Sequence, residues 1–290
     1  MADEEGRRMM KYGFVYPGGE TRAAAECARV AEAAGWDGFF VWDPVWGVDA
    51  WVTLAACAVL TERIRLGTMI TPVSRRRPWK LASETVTLDR LSNGRAILAV
   101  GLGAIDTGFV QFGEETDRKT RAELLDEGLD VITGLWHGQP FHYNGKHYHI
   151  TETKFMPPPP PIQKPRIPIW VVGAWPREKS MQRVIRYDGL LPTKMNTKGK
   201  HVKFKPADIR AMKAYLDEHR RLKTPFDIVV EGVTPGDNRK KAAAIVRPWA
   251  EAGATWWLEA LWSLAGSKMW KDSTQKRILA RVEQGPPRIE

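Results

Sequence analysis

The stretch Lys11–Asp43, KYGFVYPGGETRAAAECARVAEAAGWDGFFVWD, decides the fold. Lys11 to Pro17 reads as a strand. Thr21 to Ala34 then places Ala23, Cys27, Val30 and Ala34 on one helical face, and Gly35 stops it. Asp37 to Asp43 is a second strand built on the apolar run Phe39-Phe40-Val41-Trp42. The turn between the first strand and its helix is Pro17-Gly18-Gly19-Glu20. A doubly wound open sheet would carry a Gly-x-Gly-x-x-Gly dinucleotide turn there, so that alternative recedes.

Outward from this unit the rhythm persists. Asp49 caps a helix over Trp51 to Leu60, and Ile64 to Thr71 is the third strand. Pro78 stands in the first turn of a helix that aligns Leu81, Thr85, Leu88 and Leu91. Ala96 to Gly101 follows as a strand, then Thr120 and Glu123 form a capping box for a helix through Leu135. Gln139 to Lys164 interrupts the alternation as an insertion over one rim. It holds a hairpin, Phe141 to Ile150, turning at Asn144-Gly145, and the extended prolines Pro157 to Pro161. Strands then fall at Ile167 to Gly173, Gly189 to Pro192, Phe226 to Gly232 and Ala254 to Trp262. Their helices are Glu178 to Arg186, Asp208 to His219, a segment capped by Asp237 and ended by Gly253, and Lys268 to Val282. Eight strand-helix units predict a (β/α)8 TIM barrel, a fold of ~250 residues before insertions. We read residues 11–290 as this single domain, behind a flexible extension, residues 1–10.

Composition narrows the function classes. No apolar run reaches the ~20 residues of a membrane span. The opening Met-Ala-Asp-Glu-Glu-Gly-Arg-Arg has no secretory pattern. Two cysteines, Cys27 and Cys57, build no disulfide framework, and a reduced cytoplasmic setting is expected. The net charge of +10 is spread over short clusters such as Arg75-Arg76-Arg77 and Arg239-Lys240-Lys241, not a basic arm, so neither nucleic acid nor membrane is an expected partner. His142, His147 and His149 share one hairpin, but alternation on an exposed hairpin is ordinary, and no metal site is expected.

Barrel enzymes keep their chemistry at the strand ends. Here those ends are rich in Trp and Gly and poor in titratable groups, which suits a planar organic cofactor that brings its own reactivity. Gly101 and Gly103 suit close backbone approach to a ring or phosphate, with a tight turn as the plain alternative. Gly173-Ala174-Trp175-Pro176, with Arg177, precedes a helix and reads as a phosphate site, with a plain strand-helix turn as the equal alternative. Glu231 and Glu259, acids within strands, are read as buried structural partners at least as readily as catalysts.

Several motifs carry a resemblance. Thr61 to Thr68 (TERIRLGT), Arg76 to Ala82 (RRPWKLA), Leu88 to Arg95 (LDRLSNGR), Gly101-Leu102-Gly103 and Arg186 to Gly189 (RYDG) resemble the bacterial luciferase-like family. The likeness runs from about Lys11 to Trp262. It implies a barrel with an inserted segment, using reduced FMN or coenzyme F420, and a non-proline cis peptide behind the flavin ring at Thr68-Met69-Ile70. Two departures accompany it. Many relatives carry Asp-His where this chain has Asp43-Pro44, and F420-dependent sugar-phosphate dehydrogenases carry a glutamate where it has Ala104.

The expected function is oxygenation or reduction of a small hydrophobic molecule, with Asp43 as candidate catalytic group. Thr68, Met69, Ile70, Gly101, Gly103, Gly173, Ala174, Trp175 and Arg177 are expected at the cofactor, and Trp42, Trp46 and Trp262 around the substrate. A non-catalytic flavin or ligand carrier is the alternative. The helix Trp51 to Leu60 is apolar nearly all round, which predicts a homodimer burying Trp51 and its neighbours.

Overall fold

The computed structural model describes residues 9–154 and 158–289. Most of the proposed N-terminal extension, and Pro157 of the proline run, lie outside the described residues. The strands are β1 (Lys11–Tyr16), β2 (Gly38–Val41), β3 (Arg65–Thr68), β4 (Thr71–Pro72), β5 (Ala96–Gly101), β6 (Phe141–Asn144), β7 (His149–Thr153), β8 (Ile169–Trp175), β9 (Gly189–Met195), β10 (His201–Val202), β11 (Asp227–Gly232) and β12 (Trp256–Ala260). The helices are α1 (Thr21–Ala33), α2 (Ala50–Leu60), α3 (Pro78–Leu91), α4 (Arg118–His137), α5 (Glu178–Val184), α6 (Pro206–His219), α7 (Arg239–Glu251) and α8 (Asp272–Glu283).

Eight parallel strands close on themselves. The ring runs β1, β2, β3, β5, β8, β9, β11, β12 and back to β1, with a helix after each strand. This is the (β/α)8 barrel that the alternation predicts. Its lower interior is plugged by aromatic rings: Phe40 stacks on Trp170 with centroids 5.4 Å apart, and Trp256 meets both edge-on. Such rings fit only against bare backbone. A Cβ on Gly38 would stand 2.7 Å from Phe40 and 2.9 Å from Trp256, and one on Gly67 2.6 Å from the Ile97 carbonyl. A second apolar layer lies between barrel and helices, where α1 buries Ala24, Cys27, Ala28 and Ala31 instead of the face centred on Ala23 and Val30.

Buried or half-buried carboxylates pin the connections. Glu32 of α1 accepts the backbone N–H groups of Glu62, Arg63 and Ile64, and Asp89 of α3 accepts those of Ile162 and Gln163. Asn93 and Gly94 make the left-handed stop after α3, and the buried Arg95 donates to the carbonyls of Ala58, Thr61, Ile64 and Ser92. The LDRLSNGR run is therefore architecture.

Several expectations are corrected. The cap of α4 is Asp117, which accepts from Thr120 N–H at 2.7 Å. Glu123 instead reaches Lys146 and His147 of the hairpin. The cap of α7 is Asn238, one residue after Asp237. The third strand is two pieces, β3 and β4, separated by Met69 and Ile70. The lysine-rich loop after β9 doubles back as β10. The final helix starts at Asp272 after two short 3-10 turns. The hairpin β6–β7 lies outside the barrel, not over a rim. Glu127 of α4 binds three amides of its turn (Lys146, His147 and Tyr148), and Tyr148 meets Trp79 of α3 edge-on. Among the described residues, no helix is long and apolar enough to cross a membrane.

Candidate functional site

Alternation along each strand fixes which side chains reach the mouth. The interior cluster contains Phe40, Ala99, Trp170, Leu191, Val229 and Ala260. One more inward step brings Trp42, Gly101, Val172, Thr193, Glu231 and Trp262 to the C-terminal end. Met69 and Ile70 pack on the same cluster, as do Val172 and Trp262. The ring is apolar and aromatic, with one carboxylate, Glu231. The Trp262 indole N–H donates to Glu231 Oε2 at 3.1 Å. Solvent reaches the Glu231 side chain, yet the surrounding rim desolvates it enough to raise its pKa, the Trp262 hydrogen bond pulling the other way.

Asp43 faces elsewhere. Only 3% exposed, it accepts from Arg76 at 2.8 Å, while Arg75 lies 3.8 Å away and donates to its backbone carbonyl. Arg76 also meets Glu84 at 3.3 Å. This carboxylate is thus engaged with two arginines beside the β4–α3 connection, and only its Oδ2 lacks a partner.

Thr68 bonds the Thr71 hydroxyl at 2.8 Å, across the two residues of the bulge, and the Met69–Ile70 peptide is cis. Gly101 answers first to packing within the chain, because a Cβ there would fall 2.8 Å from Val172 and 2.9 Å from Ile70. Gly103 has φ +75°, and a Cβ would meet Phe109 and Pro72 below 3 Å. Phe109 itself lies between the guanidinium groups of Arg75 and Arg121, and Arg121 donates to the carbonyls of Leu102 and Gly103.

At the β8 end, Gly173 faces Leu190 and Val184, outward from the barrel lumen. Ala174 N–H donates to Ser180 Oγ at 2.9 Å, and Arg177 N–H to the Ala174 carbonyl at 2.7 Å. Two amides of the predicted phosphate turn are therefore already committed, and α5 is only seven residues long. The Trp175 ring packs edge-on against Tyr215 of α6, while the exposed Arg177 guanidinium lies next to Gly199.

Trp42 and Trp46 do come together. With Tyr16, Pro44, Val48 and Met269 they line an open recess beside the mouth, in which Trp46 is 81% exposed. Trp262 is not part of it. The floor is tied by Tyr16, whose hydroxyl donates to Gln275 Oε1 at 2.7 Å, while Gln275 Nε2 donates to the carbonyls of Gly18 and Met269. Sequence reading missed Gln275 and Met269, which no local motif marks. It also undervalued Glu231, although counting by twos from Val229 finds it. Glu259 is structural: fully buried, it takes Thr234, Trp257 and Arg281. His147 pairs with Glu123 and His149 with Asn144, and no cluster of three metal-ligating side chains occurs among the described residues.

This barrel, with a bulged third strand and an apolar mouth, matches a known profile: residues 10–281 fit the luciferase-like monooxygenase family, and the chain belongs to it. Coenzyme F420-dependent tetrahydromethanopterin reductase from Methanopyrus kandleri is similar at 18% identity and a TM-score of 0.69, over 96% of this chain and 98% of that one. An F420-dependent secondary alcohol dehydrogenase, in complex with an F420–acetone adduct, has 19% identity and a TM-score of 0.64 over 96% and 85%. The oxygenating constituent of the FMN-bound 3,6-diketocamphane monooxygenase from Pseudomonas putida has 17% identity and a TM-score of 0.61 over 82% and 71%. At these identities the likeness is one of fold.

Proposed function

We propose that the chain is an oxidoreductase that works with reduced FMN or coenzyme F420 on a small hydrophobic molecule. The observation that carries this is the ring of strand ends, apolar and aromatic, which offers a flat organic cofactor a dry seat and a substrate little polar competition. Membership of the family supports it, and so do neighbours of the same fold named for either cofactor. The residues fit such a group. Thr68, Met69, Ile70 and Gly101 form a wall for the ring. Arg177, with Lys198 and Lys200 flanking the nearby Gly199, supplies positive charge for a phosphate or acidic tail. Cofactor, when bound, supplies the redox chemistry; the chain binds, orients and excludes water. Trp42 and Trp46 line the substrate recess. Titrating the protein separately with each cofactor, and following flavin or deazaflavin fluorescence, tests the reading. Saturable stoichiometric binding of one supports it, and binding of neither removes it. Cofactor binding without turnover across aldehydes and ketones would favour the carrier alternative.

We also propose a homodimer through these same helices, α2 and α3, on their outward residues and not on Trp51. Trp51 is buried within its own chain, whereas Val52 and Val59 of α2 stay 66% and 65% exposed, with Leu60 of α2 and Trp79 and Leu91 of α3 also exposed. The buried, free Cys27 and Cys57 support a reducing, cytoplasmic setting.

A further inference from the structure

The redox reading leaves one task unassigned. A carbonyl or hydroxyl oxygen on a substrate needs a proton partner, and neither Pro44 after β2 nor Ala104 after β5 can supply one. Asp43 is engaged with Arg75 and Arg76. What the mouth does offer stands on the opposite arc of the barrel, between β11 and β12.

We infer that Glu231 is the proton-bearing contact to the substrate oxygen: protonated, it donates to a carbonyl, and ionised, it accepts from a hydroxyl. Three observations carry this beyond the function proposed above, on which it rests. Glu231 occupies the inward position at the end of β11, one step above Val229 of the interior cluster, so its carboxyl sits at the mouth. It is solvent-accessible, as a group that meets incoming ligands must be, in contrast to the sealed Glu259, the next-to-last residue of β12. Trp262 holds one oxygen, Oε2, by its indole N–H, which orients the carboxyl and leaves Oε1 for a ligand.

The surroundings keep it able to change charge. Among the described residues no lysine or arginine pairs with Glu231. From β12 and the following turn it faces the neutral Trp262. On the other side, the β9–β11 register set by Asp227 opposite Gly189 and Ile228 opposite Leu190, carried three residues on, brings it level with Thr193. The Thr193 hydroxyl is engaged with His201 Nδ1 at 2.8 Å, and Lys194, the next residue of β9, is paired with Asp208 at 2.7 Å. Desolvation by the rim raises its pKa above the ordinary carboxylate value, the Trp262 hydrogen bond pulling the other way. The substrate class follows: an apolar body bearing one alcohol or ketone oxygen, with no charge of its own to bury in the mouth.

The test is a carboxyl titration. In protein carrying 13C-labelled glutamate side chains, the resonance lost in Glu231→Gln identifies the group, in protein with and without bound cofactor. Cyclohexanone and cyclohexanol serve as matched neutral probes. Saturating ketone is expected to raise the titration midpoint and saturating alcohol to lower it. A shift of one pH unit corresponds to a tenfold preference of the probe for one protonation state. Trp262→Phe, by removing the donor to the ionised form, is expected to raise the midpoint without any probe. In Glu231→Gln, alcohol binding is expected to lose its pH dependence. A midpoint that neither probe moves, with or without cofactor, overturns the assignment. So does wild-type pH dependence retained in Glu231→Gln. Failure of both cofactors to bind would remove the redox reading alone, because the titration is read in the unloaded protein as well.

Discussion

Substituting Asp43 separates architecture from chemistry. The carboxylate lies between two arginines, Arg76 at 2.8 Å and Arg75 at 3.8 Å, whose side chains are 19% and 7% exposed. Asp43→Asn keeps the shape and one acceptor but removes the charge, leaving two guanidinium groups facing each other. Removing one member of a buried ion pair costs about 3–5 kcal/mol. Glu84, still 3.3 Å from Arg76, offsets part of that, so a loss of about 3 kcal/mol is expected. For a chain of 290 residues each kcal/mol moves the melting temperature by roughly 2–3 °C, giving a fall of about 6–9 °C. Calorimetry on wild type and variant, paired with cofactor titration, reads both consequences. Affinity for the cofactor should change little. A variant that melts within a degree or two of wild type while losing activity would refute this account and return Asp43 to the catalytic machinery.

Other expectations follow from single contacts. Gly103→Ala combines a left-handed backbone with a Cβ driven onto Phe109 and Pro72, and should cost about 2–3 kcal/mol in urea unfolding. Glu127 binds three hairpin amides; burial works against its charge, but those N–H donors win and lower its pKa. A carboxyl so depressed stabilises the hairpin above the ordinary carboxylate range, and the contribution disappears as pH falls through the lowered value. Glu127→Gln should therefore speed amide exchange in Lys146–Tyr148 at neutral pH by roughly tenfold, about 1.4 kcal/mol. Burial raises both thiols, Cys57 to about 12, so neither should react with a thiol reagent until urea unfolds the chain. Val52→Glu with Val59→Glu should convert a dimer to monomer in sedimentation at micromolar concentration, with the melting curve little changed if the face is open in the protomer.

The barrel was legible because each strand-helix unit announces itself locally: Pro78 opens α3, Asp49 caps α2, Gly35 ends α1. Misreadings arose where a side chain had two uses. Glu123 looks like half of a capping box, yet its carboxyl spans to Lys146 and His147, a pairing that depends on where the hairpin docks. Trp51 and Val52 are neighbours in an all-apolar helix, and only the position of α1 and α3 decides which one is buried. Near the mouth, Trp42 and Trp46 are close in sequence and share a recess, so aromatic content found them. Gln275 lies 259 residues from the Tyr16 hydroxyl it accepts from, and no spacing rule joins them.

The aromatic plug has an optical consequence. Trp170 of β8 and Trp256 of β12 stand on opposite arcs of the closed sheet, with ring centroids 5.2 Å apart and planes at 67°. Two indoles so near and so inclined couple their excited states, which splits their far-ultraviolet circular dichroism into a pair of bands of opposite sign. Because β8 and β12 are not neighbours in the sheet, and only its curvature brings their rings together across the lumen, that couplet is a native reporter of barrel formation. A folding experiment that follows it alongside helix content would show whether the helices assemble on a finished barrel or before one.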